Sequence, residues 1–530
     1  MSGNYFRQAL TQGSFVVSFE LTPGRDHSTP EVQQFIDQAG NDPNGIKVLS
    51  VTDLAGGHPA LPPEFIMGAI QERGLTPVAH LSGKDGNRNF LEGRLHGFAR
   101  LDVQNILALT GDAPSYGFGG RARPACDLDS VLILQLITAL REGLAQKGFD
   151  DARSGYDFFP GAVVNPYKVR EADQMMQFYK LHLKIAAGAR FIIPQLGFNL
   201  RKLYELKQYL CREGYGHIPI LPSVYAPTFT IGKIMHSGGI PGCLLPDSLL
   251  ARLSGEKKPQ RIERAALMVA AIRSLGFAGA HLGGYGMTHR DARSIVDRSE
   301  TIGDDWHQRM DELIYSFPGE FYLLPQASDG LSDADGAYQV GGAEQTLDPA
   351  QKVFLAVNRY GVAEDTHLAR FMKARLTHEE TATATSDGDA GGFWDRLLGP
   401  ARLFKSHYLG CVECGDCIQD HLLYSGCTMS RCYKELRNGP CGGSRMDGTC
   451  EMNPDQTCIW ARAYEKTRGA GQDPRKFART LIPPRNWALN RTNSLANRYK
   501  GCDNYTRRIS LEPEVSAANQ DEEVSNVPYR

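Results

Sequence analysis

The sequence lacks the features that would place it in a membrane or on a nucleic acid. None of its 530 residues belongs to an uninterrupted apolar run of the roughly 18 residues that a spanning helix requires. Its 58 basic and 60 acidic residues nearly cancel, so no excess of one charge favours a polyanionic partner. The first residues, MSGNYFRQALTQGSFVV, contain neither a basic start nor an apolar segment followed by a cleavage site. We therefore expect a cytoplasmic protein with no membrane or nucleic-acid partner.

Cysteine is scarce over most of the chain and dense in one window. Of the 12 cysteines, eight lie between Cys411 and Cys458, and the other four are scattered. A secreted disulfide framework would distribute its cysteines over a small domain that follows a signal peptide. One dense cluster behind a long, cysteine-poor segment favours metal or iron–sulfur ligation instead.

A repeated strand–helix unit occupies the first part of the chain. Eight short apolar runs alternate with helix-forming stretches, and most successive runs begin about 30 residues apart, the size of a βα unit. The runs span residues 15–21, 46–52, 76–81, 105–110, 158–164, 190–195, 217–222 and 277–282. The first turn contains no GxGxxG, which disfavours the rival doubly wound sheet. The pattern predicts an α/β fold, a (β/α)₈ TIM barrel followed by a smaller cysteine-rich metal or iron–sulfur domain.

Composition divides the chain into four segments. We predict a barrel over residues 1–300, followed by a connector and flexible linker over 301–392, where small and acidic residues are frequent. The cysteine-rich module then spans 393–505, and a polar, disordered tail spans 506–530.

Polar residues follow nearly every predicted strand, at the end where barrels place their chemistry. Taken singly, each has a structural alternative: Glu20 can cap a helix or pair with an arginine, and His80 can be a buried, hydrogen-bonded histidine. Because the residues converge on one rim, a ligand site explains the set better than a scaffold does. The strand-end residues are Glu20, Thr52, His80, Thr110, Gly111, Asp112, Asn165, Gln195, Ser223, Tyr225 and His281.

An ordered set of motifs resembles the methylenetetrahydrofolate reductase family, whose members are flavin-dependent (β/α)₈ barrels. The resemblance covers about residues 10–290 and rests on the order and spacing of the motifs. Thr110 stands where many members have arginine, and GAVVNPYK resembles the acetogen-type branch. The motifs are VSFELTPG at Glu20, VLSVTD at Thr52, VAHLSGKD at His80, ILALTGDAP at Asp112, LKIAAGARFIIPQ from Lys184 to Gln195, ILPSV at Ser223 and GGIPGCL near Pro241.

The resemblance implies a flavin-dependent oxidoreductase that interconverts 5,10-methylene- and 5-methyltetrahydrofolate in one-carbon metabolism. It implies FAD as the cofactor, Glu20 as the general acid and Asp112 as the acid that binds the pterin near the flavin. We also expect an electron donor or acceptor, either NAD(P)H or a redox protein, and a homo-oligomer. The expected FAD contacts are Thr52, His80, Thr110, Gly111, Asn165 and Lys184, and the expected substrate contacts are Gln195, Ser223 and Tyr225.

The cysteine-rich segment begins with CVECGDC, whose three thiols suit three corners of a cubane iron–sulfur cluster. A tetrahedral zinc more often uses two separated CxxC pairs, so we favour iron–sulfur over zinc and keep zinc as the alternative. The eight candidate ligands are Cys411, Cys414, Cys417, Cys427, Cys432, Cys441, Cys450 and Cys458. The basic residues predicted to be solvated surface charges are Lys405, Arg431, Lys434 and Arg437.

Over residues 393–465 this segment resembles the cysteine-rich partner module of acetogen-type methylenetetrahydrofolate reductases, here fused to the barrel. That resemblance implies either an iron–sulfur relay to the flavin or a structural metal. Two other functions stay open. A pterin-dependent methyltransferase with a metal module would transfer methyl groups without redox change. A metal-stabilised electron-transfer scaffold would explain the cysteines but not the polar strand ends.

Overall fold

The computed structural model describes residues 4–25, 30–114, 117–143, 155–341, 347–357, 359–360, 366–382 and 399–511. Within these ranges, no helix combines the length and the apolar character that crossing a membrane requires.

Eight parallel strands form the central sheet. They are β1 (Val16–Leu21), β2 (Val48–Val51), β3 (Thr76–Ser82), β4 (Asn105–Leu109), β5 (Phe159–Val164), β6 (Phe191–Pro194), β7 (Ser223–Val224) and β8 (Gly279–Gly283). Hydrogen-bonded neighbours follow the order β6-β5-β4-β3-β2-β1-β8-β7. Ile192 also pairs with Ile220, just before β7, and this bridge nearly closes the sheet into a barrel. The predicted (β/α)₈ barrel is confirmed.

Helices alternate with the strands and form the outer layer. Several begin at a side chain that caps the free backbone N–H groups: Asp129 accepts hydrogen bonds from the N–H groups of Val131 and Leu132. The helices are α1 (Tyr5–Thr11), α2 (Pro30–Gly40), α3 (Glu64–Glu72), α4 (Arg88–Arg100), α5 (Ser130–Arg141), α6 (Glu171–Ala186), α7 (Leu200–Arg212), α8 (Phe229–His236), α9 (Asp247–Gly255), α10 (Lys258–Ser274) and α11 (His289–Ile302).

The seventh strand differs from its prediction. We predicted it over residues 217–222, but regular pairing with β8 begins only at Ser223. Pro219 and Pro222 lie in the predicted stretch, and a proline has no N–H with which to continue a ladder. The stretch therefore contributes the bridge at Ile220 rather than a full strand.

Helix α1 closes the amino-terminal end of the barrel. Phe6 is fully buried, and its ring centroid lies 5.0 Å from that of Phe191 and 6.2 Å from that of Phe159. Inward-pointing strand residues such as Val48 and Leu107 fill the same layer. Because this end is apolar and filled, the end of the barrel that is open to ligands is the carboxyl end.

Residues 303–341 pack against the barrel, although we predicted a connector from residue 301. A 3₁₀ helix (Gly303–Glu312) buries Trp306 completely. Asn199, which caps α7, donates hydrogen bonds from its amide nitrogen to Glu320 at 3.0 Å and to Tyr322 at 2.8 Å. The barrel wall therefore extends beyond its eighth helix.

Two helices lie in the predicted linker region, α12 (Pro349–Val357) and α13 (His367–Ala382). Residues 383–392, the rest of that predicted linker, lie outside the described residues.

The cysteine-rich module consists of short elements joined by long loops. They are α14 (Gly399–Leu409), α15 (Thr428–Arg431), α16 (Ile459–Gly469), α17 (Lys476–Arg479), β9 (Thr480–Leu481), α18 (Ser494–Lys500) and β10 (Ile509–Ser510). Strand β10 lies in the segment that we predicted to be disordered. That prediction is wrong for residues 506–511, because antiparallel pairing with β9 orders them. Residues 512–530 lie outside the described residues.

The module packs on the barrel along α6. Glu171, at the start of this helix, accepts a hydrogen bond from Tyr464 at 2.7 Å. Farther along α6, Lys180 pairs with Asp129 at 3.5 Å and donates a hydrogen bond to the carbonyl of Gly439 at 3.3 Å. Lys180 and Asp129 are both buried, so a charged pair lies inside the boundary between barrel and module.

Candidate active site

A cavity of about 290 Å³ lies between the carboxyl end of the barrel and the cysteine-rich module. Every barrel strand, or the residue directly after it, contributes to its wall. Because the carboxyl ends of parallel strands open onto one rim, residues that are distant in sequence meet here. Of the barrel residues that we predicted to bind or act, all but one line the cavity: Glu20, Thr52, His80, Thr110, Gly111, Asp112, Asn165, Lys184, Gln195 and Ser223.

A row of three polar side chains crosses from β1 to β8. Ser18 and His281 are register partners on these strands, and Ser18 Oγ lies 2.8 Å from His281 Nδ1. On the other side of the imidazole, His281 Nε2 lies 3.6 Å from Glu20 Oε2. Sequence reasoning found Glu20 but gave Ser18 no role. Strand alternation was the available signal, because residues 18 and 20 must share a face.

The ionisation of Glu20 is set by two opposing effects. Burial raises the pKa of Glu20, but its contact with His281 and the charge of that imidazole outweigh burial and bring the pKa below its ordinary value. Glu20 is therefore a carboxylate at neutral pH in this environment. A role as general acid then requires a proton from a neighbour, and His281 Nε2 lies 3.6 Å from Glu20 Oε2.

Asp112 follows a tight turn at the end of β4. Gly111 has a φ of +84°, and a Cβ there would lie 2.9 Å from the side chain of Lys84, so the turn requires glycine. Asp112 Oδ2 accepts a hydrogen bond from the backbone N–H of Gly56 at 3.0 Å. Burial raises the pKa of Asp112, while the charge of Lys434 opposes the shift. The carboxyl group lines the cavity.

Four buried side chains at the ends of β2 and β3 have a polar atom with no hydrogen-bond partner among the described residues. These atoms are Thr52 Oγ1, Asp53 Oδ1, His80 Nε2 and Ser82 Oγ, and all four residues line the cavity. Burial lowers the pKa of His80 to about 4, so its imidazole is neutral at pH 7. Buried polar atoms without partners cost free energy. This wall therefore suits a ligand that carries hydrogen-bonding groups along one edge.

Three other predicted cofactor contacts already use polar atoms within the protein. Thr110 Oγ1 donates to Ser130 Oγ at 3.2 Å, and Asn165 Nδ2 donates to the carbonyl of Gly242 at 3.0 Å. Lys184 Nζ donates to a backbone carbonyl of β5. Burial lowers the pKa of Lys184 to about 7, so its amine is partly neutral near physiological pH.

The predicted substrate contacts divide into two groups. Gln195 and Ser223 line the cavity, although Ser223 Oγ also donates a hydrogen bond to the carbonyl of Pro194 at 2.7 Å. Tyr225 is the exception among the predicted barrel residues and does not belong to the cavity wall. Its hydroxyl instead donates to the carbonyl of Tyr285 at 2.8 Å, because the ring turns toward the loop after β8.

The module supplies part of the cavity wall through Lys434, Glu451 and the turn Cys441–Gly443. Lys434 Nζ donates to the carbonyl of Gly111 at 2.9 Å and pairs with Glu451 Oε1 at 2.6 Å. We predicted Lys434 to be a solvated surface charge. That prediction is wrong, because the barrel buries it together with its carboxylate partner. No sequence signal links these residues to the barrel.

Arg437 is a second basic residue that we wrongly predicted to be solvated. Its guanidinium lies 3.1 Å from Asp416 Oδ1, and both side chains are almost completely buried within the module. Asp416 also accepts a hydrogen bond from the backbone N–H of Asn504 at 2.9 Å. Arg437 therefore stabilises the core of the module. Arg431 is exposed, as predicted.

The eight cysteines of the module fall into two sets of four. The first set lines one small cavity beside α14 and consists of Cys411, Cys414, Cys417 and Cys427. The members of the second set are close enough for the charge of one thiolate to raise the pKa of another, and they are Cys432, Cys441, Cys450 and Cys458.

Burial favours the protonated form of several of these thiols. Burial raises the pKa of Cys417 to about 12 and that of Cys432 to about 11. A metal would have to displace these protons in order to bind. Among the described residues, no group of three or more His, Cys, Asp or Glu side chains is arranged to hold a metal ion. Ligation by these cysteines therefore stays a prediction.

The structure is that of a (β/α)₈ barrel whose polar strand ends line a ligand cavity covered by a cysteine-rich module. Residues 5–289 match the family model for methylenetetrahydrofolate reductase, and residues 395–488 match the model described as methylene-tetrahydrofolate reductase C terminal. The chain therefore belongs to the methylenetetrahydrofolate reductase family, a family of oxidoreductases, and contains its C-terminal module. No curated protein matches the chain.

Two solved structures resemble the barrel weakly. An uncharacterized protein from Clostridium thermocellum that binds two copies of 5-methyl-5,6,7,8-tetrahydrofolic acid is 12% identical, with a TM-score of 0.39 over 56% of this chain and 98% of its own. A proposed phosphonomutase from Burkholderia cenocepacia is 14% identical, with a TM-score of 0.29 over 53% of this chain and 93% of its own. At these scores neither structure bears on the function of this chain.

Proposed function

We propose that this chain is a flavin-dependent oxidoreductase that interconverts 5,10-methylenetetrahydrofolate and 5-methyltetrahydrofolate. The observation that carries the proposal is the cavity at the carboxyl end of the barrel. It brings together Glu20, Asp112 and Gln195, the residues to which the family resemblance gives folate roles. Membership of the reductase family supports the same reaction.

The wall formed by Thr52, His80 and Ser82 fits FAD. Their unpartnered atoms lie at the ends of neighbouring strands, where they can meet the hydrogen-bonding edge of an isoalloxazine ring. When bound, the flavin supplies hydride transfer to or from the one-carbon unit of the folate.

Residues of the chain itself hold the proton and bind the pterin. Glu20 Oε2 and His281 Nε2 flank the position at which a proton is held for a folate nitrogen, and Ser18 orients the imidazole. Asp112 accepts hydrogen bonds from the pterin ring. Its buried environment strengthens these bonds, because water competes for them less.

The test is the oxidation of 5-methyltetrahydrofolate by the holoenzyme with an artificial electron acceptor. We expect a flavin spectrum and turnover in the wild type. In Glu20→Gln we expect turnover to fall roughly 100-fold or more, while flavin content and flavin reduction by an electron donor persist. Glu72→Gln, which makes the same change at an exposed position on α3, should behave as the wild type.

Two results would contradict the proposal. One is a purified protein that neither binds flavin nor oxidises the folate under these conditions. The other is methyl transfer to an acceptor with no change in the flavin spectrum, which would favour the methyltransferase alternative.

For the module we propose ligation of an iron–sulfur cluster, with zinc as the alternative. The four thiols that line the cavity beside α14 support this proposal, since they come from a CxxCxxC segment and a fourth cysteine farther along the chain. The electron partner, NAD(P)H or a redox protein, and the homo-oligomer also stay proposals.

Metal and sulfide analysis of protein purified without oxygen tests the assignment. We expect iron with sulfide, whereas zinc alone would make the module structural and the absence of both would contradict ligation. Cys411→Ser should lower the metal content. Cys211→Ser, at an exposed cysteine on α7 of the barrel, should leave it unchanged.

A further inference from the structure

The cysteine-rich module places a carboxylate inside the ligand cavity of the barrel. Glu451 lines this cavity, and its side chain is 12% exposed. One of its oxygens, Oε1, pairs with Lys434 at 2.6 Å. The other, Oε2, is buried and has no hydrogen-bond partner in the described part of the chain. A buried carboxylate oxygen of this kind is costly unless a ligand donates to it.

The position of Glu451 is fixed on two sides. A Cβ at Gly443 would lie 2.2 Å from Glu451 Oε2, so the carboxylate is packed directly against this turn. On its other side, Lys434 holds Oε1 and donates to the carbonyl of Gly111 at 2.9 Å. The module carboxylate is thereby linked to the turn of the barrel that presents Asp112.

Two carboxylates therefore face one space from different domains. Asp112 comes from the end of β4 and Glu451 from the module. The charge of Lys434 acts to lower the pKa of both carboxyl groups. Two acidic acceptors suit a heterocycle with more than one N–H donor on an edge. The amino-pyrimidinone ring of a reduced pterin has a ring N–H and an exocyclic amino group, whereas the corresponding edge of a flavin has one imide N–H.

We propose that Glu451 is a specificity-determining residue of the folate site, and that its free carboxylate oxygen accepts a hydrogen bond from the amino-pyrimidinone edge of the pterin. This inference rests on the proposed function and deepens it. The substrate site is then shared between the two domains, since the module provides a binding group as well as its cysteines.

Calorimetric titration of the oxygen-free holoenzyme tests the proposal with two ligands. One is 5-methyltetrahydrofolate, and the other is its analogue without the 2-amino group. Glu451→Gln keeps the shape of the side chain and an oxygen for Lys434, but it turns an N–H₂ group toward the pterin. Gly443→Ala leaves Glu451 chemically unchanged and displaces its carboxylate, because the added Cβ occupies the same space. Asp455→Asn makes the matched charge change at an exposed position of the module.

We expect both cavity variants to weaken binding of 5-methyltetrahydrofolate roughly tenfold or more, as loss of a hydrogen bond to a charged group does. Their preference for it over the analogue should shrink by a similar factor. Asp455→Asn should bind both ligands as the wild type does. Flavin absorbance and metal content should be the same in all four proteins, which separates ligand recognition from cofactor loading.

The outcomes distinguish this inference from the proposed function. A wild type that binds neither ligand overturns both. If the wild type prefers 5-methyltetrahydrofolate and Glu451→Gln retains that preference, only the inference fails, even where overall affinity drops, because Glu451 then merely positions Lys434. Should Glu451→Gln not fold, Gly443→Ala decides the question by the same preference.

Discussion

The contact between Ser18 and His281 determines how the imidazole faces Glu20. In Ser18→Ala, His281 Nδ1 loses its partner at 2.8 Å, and the ring is freer to turn away from the carboxylate. We expect kcat for folate oxidation to fall about five- to tenfold, with the KM for the folate unchanged. Steady-state kinetics of the flavin-loaded enzyme measure both quantities. Ser14→Ala, at an exposed position just before β1, is the control. An equal loss in both variants would contradict the orienting role.

Lys184 gives the stability of the protein a defined pH dependence. Burial lowers its pKa to about 7. A lysine in an unfolded chain has a pKa of about 10.4, as in model peptides. Between these values the unfolded chain binds a proton that the folded chain does not bind, so this residue makes the free energy of unfolding rise with pH. In Lys184→Met this contribution is absent. Calorimetry between about pH 7 and pH 10 should show the Tm of the wild type rising relative to that of the variant, and parallel curves would contradict the assignment.

The sequence was informative where a residue follows directly on an apolar run. Glu20, His80 and Asp112 could be predicted because each ends a recognisable strand, and a closed barrel brings such ends together whatever the loops do. Glu451 and Lys434 could not be predicted in the same way. Their place in the cavity depends on how the module docks, and no local pattern encodes docking of one domain on another.

Among the elements, the turn Asn438–Ser444 is the part of the module that enters the barrel mouth. Lys168, from the loop after β5, is buried, donates to the carbonyl of Ser444 at 2.7 Å and also contacts the carbonyl of Gly442. Lys168→Met removes these donors and leaves the buried carbonyl of Ser444 without one, which costs about 1–3 kcal/mol.

We therefore expect backbone amide exchange across residues 438–448 to quicken roughly tenfold in Lys168→Met, as a local destabilisation of that size predicts. Hydrogen exchange followed by mass spectrometry resolves this segment. Lys233→Met, at an exposed position on α8, is the matched control. Unchanged exchange in the segment would show that other contacts hold the turn.

Element boundaries were predicted well where the hydrogen-bonded strand coincides with the apolar run in the sequence. They were predicted poorly where the two differ. β4 and β5 match their apolar runs closely. β7 is displaced, because Pro219 and Pro222 interrupt the ladder within an apolar stretch. β10 lies in a polar segment without a strand pattern, and it exists because β9 offers it a partner.

For the whole molecule, the buried charges between barrel and module predict that the two parts unfold together. Lys180 pairs with Asp129 at 3.5 Å, and Asp129 also accepts the backbone N–H of Asn438 at 3.3 Å. Removing one member of a buried pair leaves the other charge uncompensated, which typically costs about 3–5 kcal/mol. We expect a single calorimetric transition in the wild type, since the barrel and the module cannot separate without exposing this pair.

In Lys180→Met the lost stability affects the boundary between the two parts, so the transition should broaden or split, whereas Lys233→Met should leave it single. Two transitions in the wild type, or an unsplit and unbroadened one in Lys180→Met, would show that the boundary does not couple the two parts.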